Sequence, residues 1–176
     1  MNVASATCAG CGALVPAAGI APDHAYIGAS PGCWTIFTDL RGREASDTRY
    51  LEHDRSITDI YMVQHPGVPG RQSSQSVWVH LVGLHAAIEL GLPPPGAIAL
   101  MRRALAGRPS FSWLDPPASP GATTVLDAAA ARDPDEYHAI VRRWAIDAWQ
   151  AWAPHHEVIR RLASTGLHGA PRDRGH

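Results

Sequence analysis

The sequence has no lysine: all 15 basic residues are arginine, set against 16 acidic ones for a net charge of −1. No global positive field exists to gather nucleic acid or anionic lipid. A run of about 18 apolar residues is also missing, which argues against a spanning helix. The richest apolar stretch, Val77 to Met101, is broken by His80, His85, Glu89 and three consecutive prolines. Residues Met1 to Pro22 carry no basic residue, so no secretory signal is read there. Cysteine is scarce and odd in number, three in all, where a secreted chain of this size pairs its cysteines. A cytoplasmic protein is expected. Charged residues are only 18% and hydrophobic ones 45% of 176 residues, which excludes a disordered, collagen-like or coiled-coil chain. What is abundant is histidine, ten residues, a count that favours metal or proton chemistry without locating it.

The pattern of apolar residues predicts a mainly α protein, a small helical bundle with an irregular N-terminal zinc-knuckle arm. Residues 1–32, rich in Gly, Ala and Pro, read as loop or short-strand material. A short helix is expected from Cys33 to about Arg43. Three longer ones are expected near 47–64, 72–91 and 134–152. In the second of these, Val77, Leu81, Leu84 and Ile88 recur at helical spacing. A short helix near 96–106 and a proline-rich connection, 108–124, follow. Asp133-Pro134 caps and opens the last long helix, and Pro154 either kinks it or starts a new segment reaching about Ser164. One domain over 1–166 is expected, its first 32 residues a metal-binding arm, with 167–176 a disordered tail.

Cys8-Ala-Gly-Cys11-Gly12 is the sharpest chemical signal. Two thiolates separated by two residues can grip one metal ion, and glycine after the second permits the backbone turn that aims amides at sulfur. A tetrahedral zinc site needs two more ligands. Cys33 is the natural third and His53 or His24 the fourth, with His53 favoured because it sits on a helix. Thiolate donors select zinc over magnesium or calcium. A redox role for Cys8 and Cys11 would instead require the pair to open a helix after a buried strand.

On the 47–64 helix, Tyr50, His53, Ile57, Ile60, Tyr61 and Gln64 share one face at 100° per residue. Proline at position 66 pushes His65 out of helical geometry, so its ring projects at the helix end. His65, His80 and Tyr61 are therefore the candidate proton-moving residues, expected to line one cavity with His53. Trp149 and Trp152 could wall a separate groove for a ligand. The Arg-Arg pairs at 102, 142 and 160 read as solvated helix faces.

Several segments occur together and in order: Cys8-Ala-Gly-Cys11-Gly12, Pro31-Gly32-Cys33-Trp34, Asp59-Ile60-Tyr61-Met62-Val63-Gln64-His65-Pro66-Gly67 and Gln75-Ser76-Val77-Trp78-Val79-His80-Leu81. Trp113-Leu114-Asp115-Pro116-Pro117 and Trp144 through His155-His156 follow them. In these the chain resembles an uncharacterised bacterial family catalogued only as a domain of unknown function. The resemblance spans about residues 8–162 and implies one domain with a shared site, but no reaction. Three functions then compete. The first is a zinc-dependent hydrolase or group transferase acting on a small molecule, slightly favoured. The others are a binding module whose zinc is purely structural and a thiol redox protein.

Overall fold

Proline and glycine punctuate the chain, and most helices begin or end at one of them. The computed structural model describes residues 4–106 and 110–168. The arm opens with an antiparallel hairpin, β1 (Ser5–Thr7) and β2 (Leu14–Pro16), with Ala6 opposite Val15. Helix α1 (Pro31–Ser46) starts two residues earlier than expected, because Pro31 occupies its first position, where a missing N–H costs nothing. A Cβ on Gly32 would run into the Pro16 carbonyl, so glycine here lets β2 lie directly on the first turn of α1.

The helix expected over 47–64 is divided. Thr48–His53 form a tighter 3₁₀ turn, and α2 (Asp54–Gln64) follows it. Next come α3 (Arg71–Ile88) and α4 (Pro94–Ala106). Helix α5 (Val125–Ala129) has no counterpart among the expected elements. It is five residues long, too short to show a period, and rests on a capping box between Thr124 and Asp127. Helix α6 (Pro134–Ala151) is capped by the Asp133 side chain. Pro154 does redirect the chain: it lies in a 3₁₀ turn, Ala153–His155, from which α7 (His156–His168) departs. Residues 169–176 of the expected tail lie outside the described residues. Among the described residues no helix is long and apolar enough to cross a membrane.

Helix α2 is central, packed on both α3 and α6, while α7 lies on α4 and α3. One hydrophobic cluster joins Cys8, Val15 and Ile27 of the arm to Ile57 and Ile60 of α2, Leu81 of α3, Trp144 of α6 and Ile159 of α7. Burying one such aliphatic side chain contributes roughly 1.5–3 kcal/mol. Trp144, Trp149 and Trp152 are all buried, so they pack in the core and do not wall an exposed groove. Each finds an acceptor for its indole N–H, as a buried donor must. Trp144 donates to Gln64 Oε1 (2.8 Å), Trp152 to the Val63 carbonyl (3.2 Å) and Trp149 to Glu89 Oε1 (3.2 Å). His156 stacks on Trp149 at 3.7 Å between centroids, which fixes the departure of α7. Arg102, Arg142 and Arg160 are exposed, as are their arginine neighbours.

Glu89, just beyond α3, ties three helices. It accepts from Arg160 of α7 (2.6 and 2.8 Å) and from Trp149 of α6, and lies 3.0 Å from His85 Nδ1. Arg160, ahead of the other partners, holds its carboxyl at about 2. A depressed folded-state pKa stabilises the fold above the unfolded value of about 4.3, and that stabilisation is lost as pH falls toward 2. Glu89→Gln should therefore melt below wild type at neutral pH, with the gap closing on acidification from about pH 4.5. Thermal melts of both proteins across this range check it.

Candidate metal centre

Three chain segments supply the centre, and each arrives for a local reason. The knuckle is the turn between β1 and β2. Cys8 N–H donates to the Ala13 carbonyl (2.8 Å) and Gly12 N–H to the Cys8 carbonyl (2.9 Å), with Gly12 at φ +76°. That left-handed conformation is strained for any residue with a Cβ. Cys33 is in the first turn of α1, where unpaired amides and the helix dipole favour a thiolate. His65 follows the last residue of α2, and Pro66 keeps it from continuing the helix. Its carbonyl accepts from Gly28 N–H (3.1 Å), so the arm is stitched to this turn.

These segments bring together Cys8, Cys11, Cys33 and His65, whose ligand atoms all lie within 4.8 Å of one another. Cys11 Sγ is 3.8 Å from Cys33 Sγ, and Cys33 Sγ is 3.4 Å from His65 Nε2. Tetrahedral coordination with Zn–S near 2.3 Å and Zn–N near 2.05 Å places sulfurs about 3.8 Å apart and sulfur and nitrogen about 3.6 Å apart. The observed separations match that polyhedron and are far longer than the ~2.05 Å of a disulfide. The four residues are 1%, 5%, 0% and 1% exposed, in chain order. A buried Cys3His cluster is present that could hold a metal ion.

The surroundings prepare the donors. His65 Nδ1 faces the Tyr61 carbonyl at 2.7 Å; a carbonyl only accepts, so Nδ1 carries a proton and Nε2 is the nitrogen turned to the sulfurs. Fixing a tautomer through the distal nitrogen is a recurrent support for metal-bound histidine. The ring is clamped in a stack, Phe37 on Tyr61 at 4.0 Å and Tyr61 on His65 at 3.9 Å. Tyr61 O–H donates to Cys33 Sγ (3.4 Å) and Ser30 N–H to Cys8 Sγ (3.5 Å).

The titration of these groups reflects their crowding. Hydrogen bonds from Cys11 and Cys33 push the Cys8 thiol far below its ordinary value. The same neighbourhood of Cys11 and Cys8, then burial, pushes Cys33 up. One thiolate is thus favoured and a further one is resisted, the behaviour of like charges sharing a site. Burial works to lower His65, but hydrogen bonds to Cys11 and Cys8 outweigh it and raise it to about 9. Burial, then the charge of Cys33, raises Tyr61, which stays a neutral donor. A cation at the centre would replace the shared protons and relieve the repulsion.

The remaining sequence candidates are placed differently. The side chain of His53 lies outside the described residues. His24 is exposed and stacks on Tyr26 at 5.1 Å, apart from the cluster. Tyr61 and His65 are neighbours as expected, but His80 does not join them. Its Nδ1 pairs with Asp59 Oδ1 at 2.7 Å, and Asp59 is 200° from Tyr61 around α2. The arriving imidazole is therefore His65, which sequence reasoning assigned to proton transfer. The signals for its other role were Pro66, which frees its ring from the helix, and Gly10. A Cβ on Gly10 would meet the His65 ring and the Gly28 and Gln64 carbonyls. Gly10→Ala should displace the imidazole and weaken metal binding about 10–100-fold, as disturbing such supports does. Competition with a chromophoric chelator measures this.

A family model matches residues 6–153, and the chain belongs to that family, a family of unknown function (DUF5946). No curated protein and no solved structure matches the chain.

Proposed function

For this member of a family without an assigned reaction, we propose a zinc-binding protein whose Cys3His ion is structural, fastening the N-terminal arm to the helical bundle. The observation that carries this reading is the burial of all four donors, none more than 5% exposed. Four protein ligands complete the tetrahedron of zinc, and catalysis at zinc needs a position left open for water or substrate. Three thiolates and one imidazole suit zinc, and thiolates are poor donors to magnesium or calcium. The ligands come from the arm (Cys8, Cys11), from the start of α1 (Cys33) and from the end of α2 (His65). An ion there cross-links residues up to 57 apart in sequence, and its binding free energy becomes folding free energy for the hairpin.

The two other roles lose support for stated reasons. A metal-assisted hydrolase or group transferase built on this ion would have no coordination site for its water. A thiol redox protein would need an accessible thiolate at Cys8 or Cys11, and both are buried in a hairpin turn. Three reduced thiols and a bound zinc fit a reducing compartment such as the cytoplasm. A binding module with a small-molecule partner is the class that remains.

Purified without a histidine tag, the protein should contain one equivalent of zinc. Removing it with a chelator, or by Cys11→Ser, should open residues 1–32 to limited proteolysis while most helical circular dichroism persists. Zinc-free protein as protease-resistant as the native form would end this proposal.

A further inference from the structure

We propose that the first turn of α3 and the cavity beside it bind the phosphoryl group of a small organic phosphate monoester. The site does not rest on the role of the metal ion. Helix α3 is 18 residues long and opens at Gly70, which has no side chain to cap it. Ser74 N–H donates to the Gly70 carbonyl, the first bond of the helix. The amides of Arg71, Gln72 and Ser73 have no acceptor among the described residues, and Ser73 Oγ donates to the Val68 carbonyl (2.6 Å). No acidic side chain stands in this first turn. Unpaired amides and the helix dipole together favour an anion at such an end.

A helix start alone calls only for water, and Ser74 is what points to a ligand. Ser74 is 4% exposed, yet its hydroxyl has no hydrogen-bond partner among the described residues. A hydroxyl so placed ordinarily has one. Ser74 lines a cavity of about 670 Å³ together with Gly70 and Arg71, and its oxygen is not sealed from that space. It lies one turn on from Gly70, on the same helix face, so hydroxyl and helix start border one cavity. Arg71 supplies the charge: it is exposed and has no ion-pair partner among the described residues. From residue 60 to 114 the only acidic residue is Glu89, which is held by Arg160. A phosphoryl group presents three oxygens and more charge than a carboxylate, enough for amide, guanidinium and hydroxyl donors together. The volume is in the range of about 300–1,000 Å³ typical of small-molecule sites, more than inorganic phosphate needs. Leu105 and Phe111, both half-buried, complete the wall and suit an organic body esterified to the phosphate.

The test is calorimetric titration of the full-length protein, as purified, with phenyl phosphate, inorganic phosphate and benzoate. Phenyl phosphate should bind about tenfold or more tightly than either other probe, since one lacks the organic body and the other the third oxygen. Ser74→Ala and Arg71→Gln should each weaken phenyl phosphate about tenfold, the scale of a lost hydrogen bond to a charged group. The second variant alters an exposed side chain, so it keeps the test decisive if the first fails to fold. No binding of phenyl phosphate at millimolar concentration, or affinity equal to that of either other probe, would overturn the proposal. So would undiminished binding in Arg71→Gln or in folded Ser74→Ala.

Discussion

Three buried cysteine sulfurs and one imidazole nitrogen share a space in which all lie within 4.8 Å of one another, and that proximity organises the N-terminal third of the chain. Left to themselves, such groups must divide protons among them, because two thiolates at 3.8 Å repel in a medium that screens poorly. A divalent cation turns the same crowding into an attraction. The hairpin is only three residues per strand, and an isolated two-stranded hairpin is marginal in water. Its stability has to come from what it is fastened to. The knuckle, the first turn of α1 and the His65 turn supply that fastening, helped by close backbone contacts at Gly10, Gly28 and Gly32.

Helix α2 divides the molecule into two chemically different sides. One side carries Tyr61 and leads into His65, stacked and hydrogen-bonded against the sulfurs. The other carries Asp59, turned toward His80 of α3. Between them Gln64 acts as a bracket. Its amide N–H groups donate to the Pro120 and Thr123 carbonyls and its oxygen accepts from Trp144, so loop, α2 and α6 are fixed together. A fully satisfied buried network of this kind rigidifies its surroundings. The imidazole of His65 is then presented by a helix end that cannot easily move.

Much of the helical architecture was legible, because long amphipathic stretches bounded by proline and glycine leave little choice. Helices α3 and α6 show this most clearly. Short elements were not: α5 depends on a capping box rather than on periodicity, and the first turn of the expected 47–64 helix tightens to 3₁₀ geometry. Within the centre, spacing singles out Cys8, Cys11 and Cys33, since a knuckle advertises itself and cysteine is scarce. The imidazole donor is harder. It comes from 32 residues beyond Cys33, and whether His53 or His65 reaches the sulfurs depends on where α2 ends in space. Pro66 showed that the His65 ring leaves the helix, but not what it meets. The spread of the tryptophans around α6 left open whether one of them was exposed, and all three are buried.

The central claim is a closed coordination sphere of three sulfurs and one nitrogen. X-ray absorption at the zinc edge of the purified protein tests it most directly. The expected result is a shell of three sulfurs near 2.3 Å and one imidazole nitrogen near 2.0–2.1 Å, with no further oxygen scatterer. A water or carboxylate oxygen in the first shell, or fewer than three sulfurs, would contradict the account.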